Sequence, residues 1–246
     1  MGAGWPMPVD RDKLPAGKRT GASAGVDAFV RKLAAMPAVK PSGRGRLIFA
    51  LDATASREPT WDRACHVQAQ MFEVAANLGG LEVQLVYYRG FGECKASSWV
   101  ADPRELARRM TGVRCLGGQT QIIKVLGYAA AETERRKVSA LVFAGDCMEE
   151  PVDRLCHEAG RLGVLGVPAF MFHEGKDPVA ANAFQQVARL TGGAYCHFDS
   201  GSALQLRDLL SAVAVFAAGG RPALEDYGRK RGGVALLIAN QVTGRS

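Results

Sequence analysis

Five oxygen-bearing side chains stand at three turns of this sequence. Asp52-Ala53-Thr54-Ala55-Ser56 follows the apolar run Leu47-Ile48-Phe49-Ala50-Leu51. Gly117-Gly118-Gln119-Thr120 precedes a stretch with helical spacing, and Gly145-Asp146 closes a second apolar run. In a turn leaving a strand, residues i, i+2 and i+4 can converge on one point. Asp52 would bring a carboxylate there, Thr54 and Ser56 two hydroxyls, Thr120 a third hydroxyl and Asp146 a second carboxylate. An all-oxygen set suits a hard cation, Mg²⁺ or else Mn²⁺ or Ca²⁺, and Mg²⁺ wants it near-octahedral at roughly 2.0–2.1 Å. Two carboxylates balance the charge of such an ion. The hydroxyls are neutral and leave it electrophilic toward an incoming anion. Read one at a time, the same residues have a plainer use: Asp52 and Asp146 as helix caps, Thr54, Ser56 and Thr120 as partners for loop backbone groups.

The elements that would carry these turns alternate. Residues 47–51 read as a buried parallel strand because the run is apolar without interruption. Thr60 is placed to N-cap a helix over 61–78, with Trp61, Ala64, Val67, Met71, Val74 and Leu78 as its apolar stripe. Residues 81–88 alternate in the period of a strand, and 94–100 suit a short antiparallel edge strand. Asp102-Pro103 opens a helix to Met110, and another spans 121–135. Further strands are expected at 138–144, 167–172 and 194–198, and further helices at 149–162, 179–191 and 202–217. This order specifies a doubly wound α/β fold: a mostly parallel sheet with helices on both faces and one antiparallel edge strand. In such sheets ligands bind beyond the carboxyl ends of the strands, where the strand order reverses. All three turns fall on that edge.

Three segments of the chain differ in character. Residues 1–22, rich in Gly, Pro and charge, read as a flexible arm. Residues 23–218 form the expected domain, with a helix at 23–37 (Val26, Phe29, Val30, Leu33 and Ala34 on one face) ahead of a core at 45–218. Residues 219–246 are a basic extension that contains Arg229-Lys230-Arg231 and the apolar segment 234–238, which can pack on its own domain or insert into a neighbour.

Taken in order, Asp52, Thr54, Ser56, Thr120 and Asp146 resemble the metal-ion-dependent adhesion site (MIDAS) of von Willebrand factor A (VWA) domains. That family's first segment is Asp-x-Ser-x-Ser, and Thr54 keeps the hydroxyl at its middle position. Its last segment is often Asp-Gly, where this chain has Asp146-Cys147. The similarity covers roughly residues 45–218 and includes the step Leu190-Thr191-Gly192-Gly193-Ala194-Tyr195 before the last strand. The resemblance implies direct ligation by Thr54 and Ser56, and ligation by Asp52, Thr120 and Asp146 directly or through water. It also implies that a partner's Asp or Glu carboxylate takes the remaining position. Intracellular bacterial members work within multi-protein assemblies, including ones with AAA+ ATPases or other chaperone-like partners. The expectation is a metal-dependent protein-binding module.

Composition narrows the alternatives. The net charge of +7 gathers at the ends, with +2 in residues 1–22 and +3 in residues 219–246. Basic tails suit nucleic acid or an acidic partner, but no aromatic stacking platform stands near Arg229-Lys230-Arg231. No run approaches the ~18–20 apolar residues of a membrane span, and the first residues show no secretory pattern, so a cytoplasmic location is expected. The six scattered cysteines form no Cys-x-x-Cys pair, and they read as reduced thiols rather than a zinc site. A Mg²⁺-dependent phosphatase could use Asp52 as an aspartyl-phosphate nucleophile, but the dehalogenase-like pattern needs a second Asp where Thr54 stands. No phosphate-binding Gly-x-x-x-x-Gly-Lys-Ser/Thr is present. His66, His157, His173 and His197 fall on separate elements and read as structural. No enzyme activity is expected.

Overall fold

A computed structural model describes residues 43–75, 78–198 and 203–231. The expected arm, the helix at 23–37 and the apolar segment 234–238 lie outside the described residues. Strand β1, Gly45–Asp52, is buried along its whole length. Its side chains alternate between two cores, as a strand's period of two requires. Leu47, Phe49 and Leu51 face one core, and Ile48 and Ala50 the other. A continuous apolar run therefore marks a strand covered on both faces.

Five more strands complete the sheet: β2 Leu81–Arg89, β3 Glu93–Ala96, β4 Ala140–Gly145, β5 Ala169–Glu174 and β6 Ala194–Phe198. Their order is β3-β2-β1-β4-β5-β6. All neighbours are parallel except β2 and β3, and β3 forms the antiparallel edge. The first core is closed by α1 Glu58–Val67, α2 Ala69–Ala75, α3 Pro103–Thr111 and α7 Ala203–Arg231. The second is closed by α4 Ile122–Arg135, α5 Val152–Val164 and α6 Pro178–Leu190. There Phe143 stacks on Tyr88 and meets Phe184 edge-on, with ring centroids 6.2 and 5.4 Å away. Each such ring stabilises the fold by about 1.5–3 kcal/mol through burial.

Several boundaries differ from expectation, each for a local reason. The helix expected over 61–78 starts at Glu58, with Pro59 in its first turn, and breaks at Gln68. Gln68 is buried, and its side chain donates to the Pro103 carbonyl at 3.1 Å. Thr60 is not the cap: it sits buried inside α1, and its hydroxyl donates to Glu174 Oε2. The helix expected from 149 starts at Val152, because Glu149 and Glu150 bind the loop before α4 and that helix's first amides. Strand β5 runs two residues further than expected, to Glu174, which carries His173 and Glu174 to the carboxyl edge. The last helix runs to Arg231 rather than 217, broken at Gly220 (φ 69°, ψ −166°), and Leu224 beyond the break packs in the first core. Among the described residues no helix is long and apolar enough to cross a membrane.

Candidate metal centre

The strand order reverses at β1, which has β2 on one side and β4 on the other. Their register pairs Leu51 with Ala144. Asp52 therefore stands level with Gly145, and Asp146 one step beyond. Gly145 lets the two strand ends come close: a Cβ there would lie 2.8 Å from the Phe143 ring and 3.8 Å from the Asp52 Cβ.

The turn after β1 is fixed by its own side chains. Asp52 Oδ1 accepts from the Thr54 amide at 2.7 Å, as an aspartate does when it shapes a turn. The Thr54 and Ser56 hydroxyls lie 3.4 Å apart, and the Ser56 hydroxyl donates to Asp146 Oδ2 at 3.1 Å. Four of the five expected residues thus form one connected chain. Thr120 arrives on the loop before α4. Gly118 there packs so tightly on the β2–β3 hairpin that a Cβ would lie 2.2 Å from the Gly90 carbonyl oxygen. The Gln119 amide donates to that same oxygen at 3.1 Å. The Thr120 hydroxyl accepts from the Glu149 amide at 3.0 Å, and the Thr120 amide donates to Glu149 Oε2 at 3.1 Å. All five residues line a single cleft of about 260 Å³, together with Gly117, Gly118, Cys147 and Glu149.

The electrostatics of the cleft favour a cation. Asp52 is 3% exposed, and its Oδ2 is buried with no hydrogen-bond partner. Burial raises its pKa above the ordinary aspartate value; the Thr54 amide opposes that rise, and the charge of Asp146 adds to it. The buried Tyr88 phenol approaches the carboxylate without reaching hydrogen-bond geometry. Its own pKa is pushed well up, first by burial and then by Asp52. A divalent cation would relieve both the unpaired oxygen and the repulsion between carboxylates. The donors are all oxygens, the chemistry of a hard ion, so the residues present fit the ion the resemblance implies. Among the described residues no three His, Cys, Asp or Glu side chains gather as a metal cluster. An ion held here would need the hydroxyls to supply the rest of its shell.

Sequence reading missed Arg57 and Glu174. Arg57 follows Ser56, is 3% exposed, and forms an ion pair with Glu174 at the end of β5. Its Nη1 also lies 3.9 Å from Asp146 Oδ2. The signal available was a charged residue directly after the expected ligands, but its partner lay beyond the expected end of the strand. His173, next to Glu174, is buried with Nδ1 bonded to the Tyr195 hydroxyl at 2.9 Å. Burial and then the nearby His197 lower its pKa.

No protein-family model and no curated protein matches the chain. Solved structures do. The chain is similar to the VWA domain of SpRpn10, with 16% identity and a TM-score of 0.54 over 68% of this chain and 94% of that one. It is similar to a von Willebrand factor type A protein from Catenulispora acidiphila, with 14% identity and a TM-score of 0.55 over 70% of this chain and 43% of that one. It is also similar to proximal thread matrix protein 1 of the mussel byssus with a zinc-occupied MIDAS motif, with 15% identity and a TM-score of 0.55 over 71% of this chain and 49% of that one. The likeness spans nearly all of the first protein but under half of the other two. The strand order, the reversal at β1 and these likenesses together show that the chain has the fold of a von Willebrand factor A domain.

Proposed function

We propose that the chain is a divalent-metal-dependent protein-binding module. Asp52, Thr54, Ser56, Thr120 and Asp146 hold Mg²⁺, with Mn²⁺ or Ca²⁺ able to take its place, and an Asp or Glu of a protein partner completes the shell. One observation carries the reading: the buried, unpartnered Oδ2 of Asp52 borders a cleft that the other four residues also line. Two carboxylates set the charge of the site, and three hydroxyls supply neutral oxygens. A bound divalent ion supplies the residual positive charge that attracts a third carboxylate. At about 260 Å³ the cleft suits one side chain better than a drug-sized ligand, whose pockets run from about 300 Å³ upward.

We read the cleft as a binding site rather than a catalytic one. Asp52 is buried with Oδ1 committed to the Thr54 amide, and the His173 Nδ1 is committed to Tyr195. We read the module as part of a cytoplasmic multi-protein assembly, with an AAA+ ATPase or chaperone-like protein as the expected partner. The alternative, a nucleic-acid-associated protein using its basic tails, is weakened among the described residues by the pairing of Lys230 of the basic cluster with Asp226 at 2.7 Å.

The test is affinity capture from the native cell extract with the full chain as bait, in Mg²⁺ and in EDTA, alongside Asp52→Ala. A partner retained in Mg²⁺, and lost both in EDTA and with the variant, supports the reading. A partner held equally well under all three conditions overturns it.

A further inference from the structure

A resident cation stands beside the metal site. The Arg57 guanidinium is buried next to Ser56 and lies between two carboxylates on adjacent strand ends. Glu174, on β5, holds it in an ion pair, and the same Glu174 oxygen accepts from the Thr60 hydroxyl. Asp146, after β4, has its Oδ2 3.9 Å from Arg57 Nη1. That oxygen also accepts the Ser56 hydroxyl, so the guanidinium sits beside a carboxylate the metal would use. Arg57 Nε is buried with no acceptor, so the guanidinium is not saturated by its present partners. Asp146 is 26% exposed at its side chain and Glu174 only 10%. The drier carboxylate is the stronger partner for a buried cation, because water screens it less.

We propose that Arg57 competes with the divalent ion for Asp146, and that Glu174 sets the outcome by holding Arg57 away. This rests on the proposed metal site and adds its regulation. With Glu174 charged, the guanidinium is neutralised from the β5 side, and Asp146, 3.9 Å from it, is held loosely enough to ligate. Without that charge, Asp146 becomes the carboxylate within reach. The guanidinium then closes on it and supplies the positive charge the ion would have brought. Arg57 and Glu174 are positioning residues here, since neither is placed to touch the ion.

The experiment is Mn²⁺ titration by calorimetry on the full chain, with thermal melts in EDTA as a check of folding. Glu174→Gln keeps the volume and an oxygen acceptor for Thr60, so it removes little but charge. It should weaken Mn²⁺ by about tenfold or more, the usual effect of disturbing the groups that orient a ligand. The double variant Arg57→Gln/Glu174→Gln removes the competitor and should bring the affinity back to within a few-fold of wild type. A purely structural role for the pair predicts the opposite, with the double variant binding as poorly as the single one or worse. That result, or a Glu174→Gln affinity equal to wild type, overturns the proposal. Absence of Mn²⁺ binding in wild type overturns the metal site itself and this proposal with it.

Discussion

Two buried arginines frame β1, and they are employed differently. Arg46, at the amino end of the strand, is 4% exposed. Its Nη2 bonds Glu132 at 2.7 Å, its Nη1 reaches the Arg136 carbonyl, and its guanidinium lies 3.8 Å over the Trp99 ring. Trp99 in turn donates to Glu132 Oε1 at 2.9 Å. Every partner on that edge belongs to the scaffold. Arg57, beyond the carboxyl end, shares one nitrogen between Glu174 and Asp146, and Asp146 borders an open cleft. A network whose members all belong to the scaffold holds strands and helices together. A network with one member turned toward solvent can respond to a ligand. The same residue type in the same degree of burial is structural at one end and, in the regulation proposed above, tunable at the other, and the difference lies in whether its carboxylate has another use.

The sharpest way to break the comparison is to cut the amino-end network. Arg46→Ala leaves Glu132 beside Trp99 with only the exposed Arg135, 3.7 Å away, as its cation, and loss of one partner of a buried pair costs about 3–5 kcal/mol. Chemical denaturation measures it. Burial alone would raise the Glu132 pKa, but the bonds from Trp99 and Arg46 outweigh burial and leave it below the ordinary glutamate value. A depressed carboxylate pKa stabilises the fold above the unfolded pKa, and that contribution is lost as pH falls through the folded value. The wild type should therefore lose stability on acidification over that window, and Arg46→Ala should lose less. The Mn²⁺ affinity of the folded variant should match wild type. A weaker affinity would show that the two edges of β1 are coupled.

At the other end the effects should invert. Asp52→Asn keeps the shape of the side chain and its bond to the Thr54 amide but removes the charge. Mn²⁺ affinity should fall about 100-fold, equivalent to roughly 2.7 kcal/mol. Stability in EDTA should not fall, because the charged carboxylate is disfavoured where it sits. A variant that loses stability yet keeps its metal would place Asp52 with the scaffold and remove the contrast.

The difference between the two ends also explains what the sequence discloses. β1 was legible because a strand covered on both faces must be apolar throughout, and residues 47–51 are. That residues 52–56 gather in one turn was legible because oxygen-bearing side chains two residues apart are a local pattern. Thr120 and Asp146 followed, since each borders an apolar run or a glycine pair that marks an element's end. Thr60 was misjudged as a cap because its partner, Glu174, lies 114 residues away in sequence. No window of sequence contains that pairing, nor the meeting of Arg57 with Glu174. The first residue of α5 was placed early for a related reason: Glu149 and Glu150 are good helix formers, but tertiary contacts with the loop before α4 recruit them.

The smallest effect tests how rigidly the carboxyl edge is built. Two neighbouring glycines border the cleft, and only one of them is confined. A Cβ on Gly117 would meet nothing within 4 Å, whereas one on Gly118 would lie 2.2 Å from the Gly90 carbonyl oxygen. That obstacle is backbone, so it cannot rotate aside. Gly118→Ala must therefore push the loop off the hairpin, at about 1–3 kcal/mol for an overpacked contact. Thr120 is only two residues along and is clasped to Glu149, so part of the displacement should reach its hydroxyl. Mn²⁺ binding should weaken about tenfold, which corresponds to roughly 1.4 kcal/mol. Gly117→Ala should leave both stability and affinity near wild type. If Gly118→Ala lowers the melting temperature and leaves affinity untouched, then Thr120 is held by Glu149 alone, and the hairpin takes no part in shaping the site.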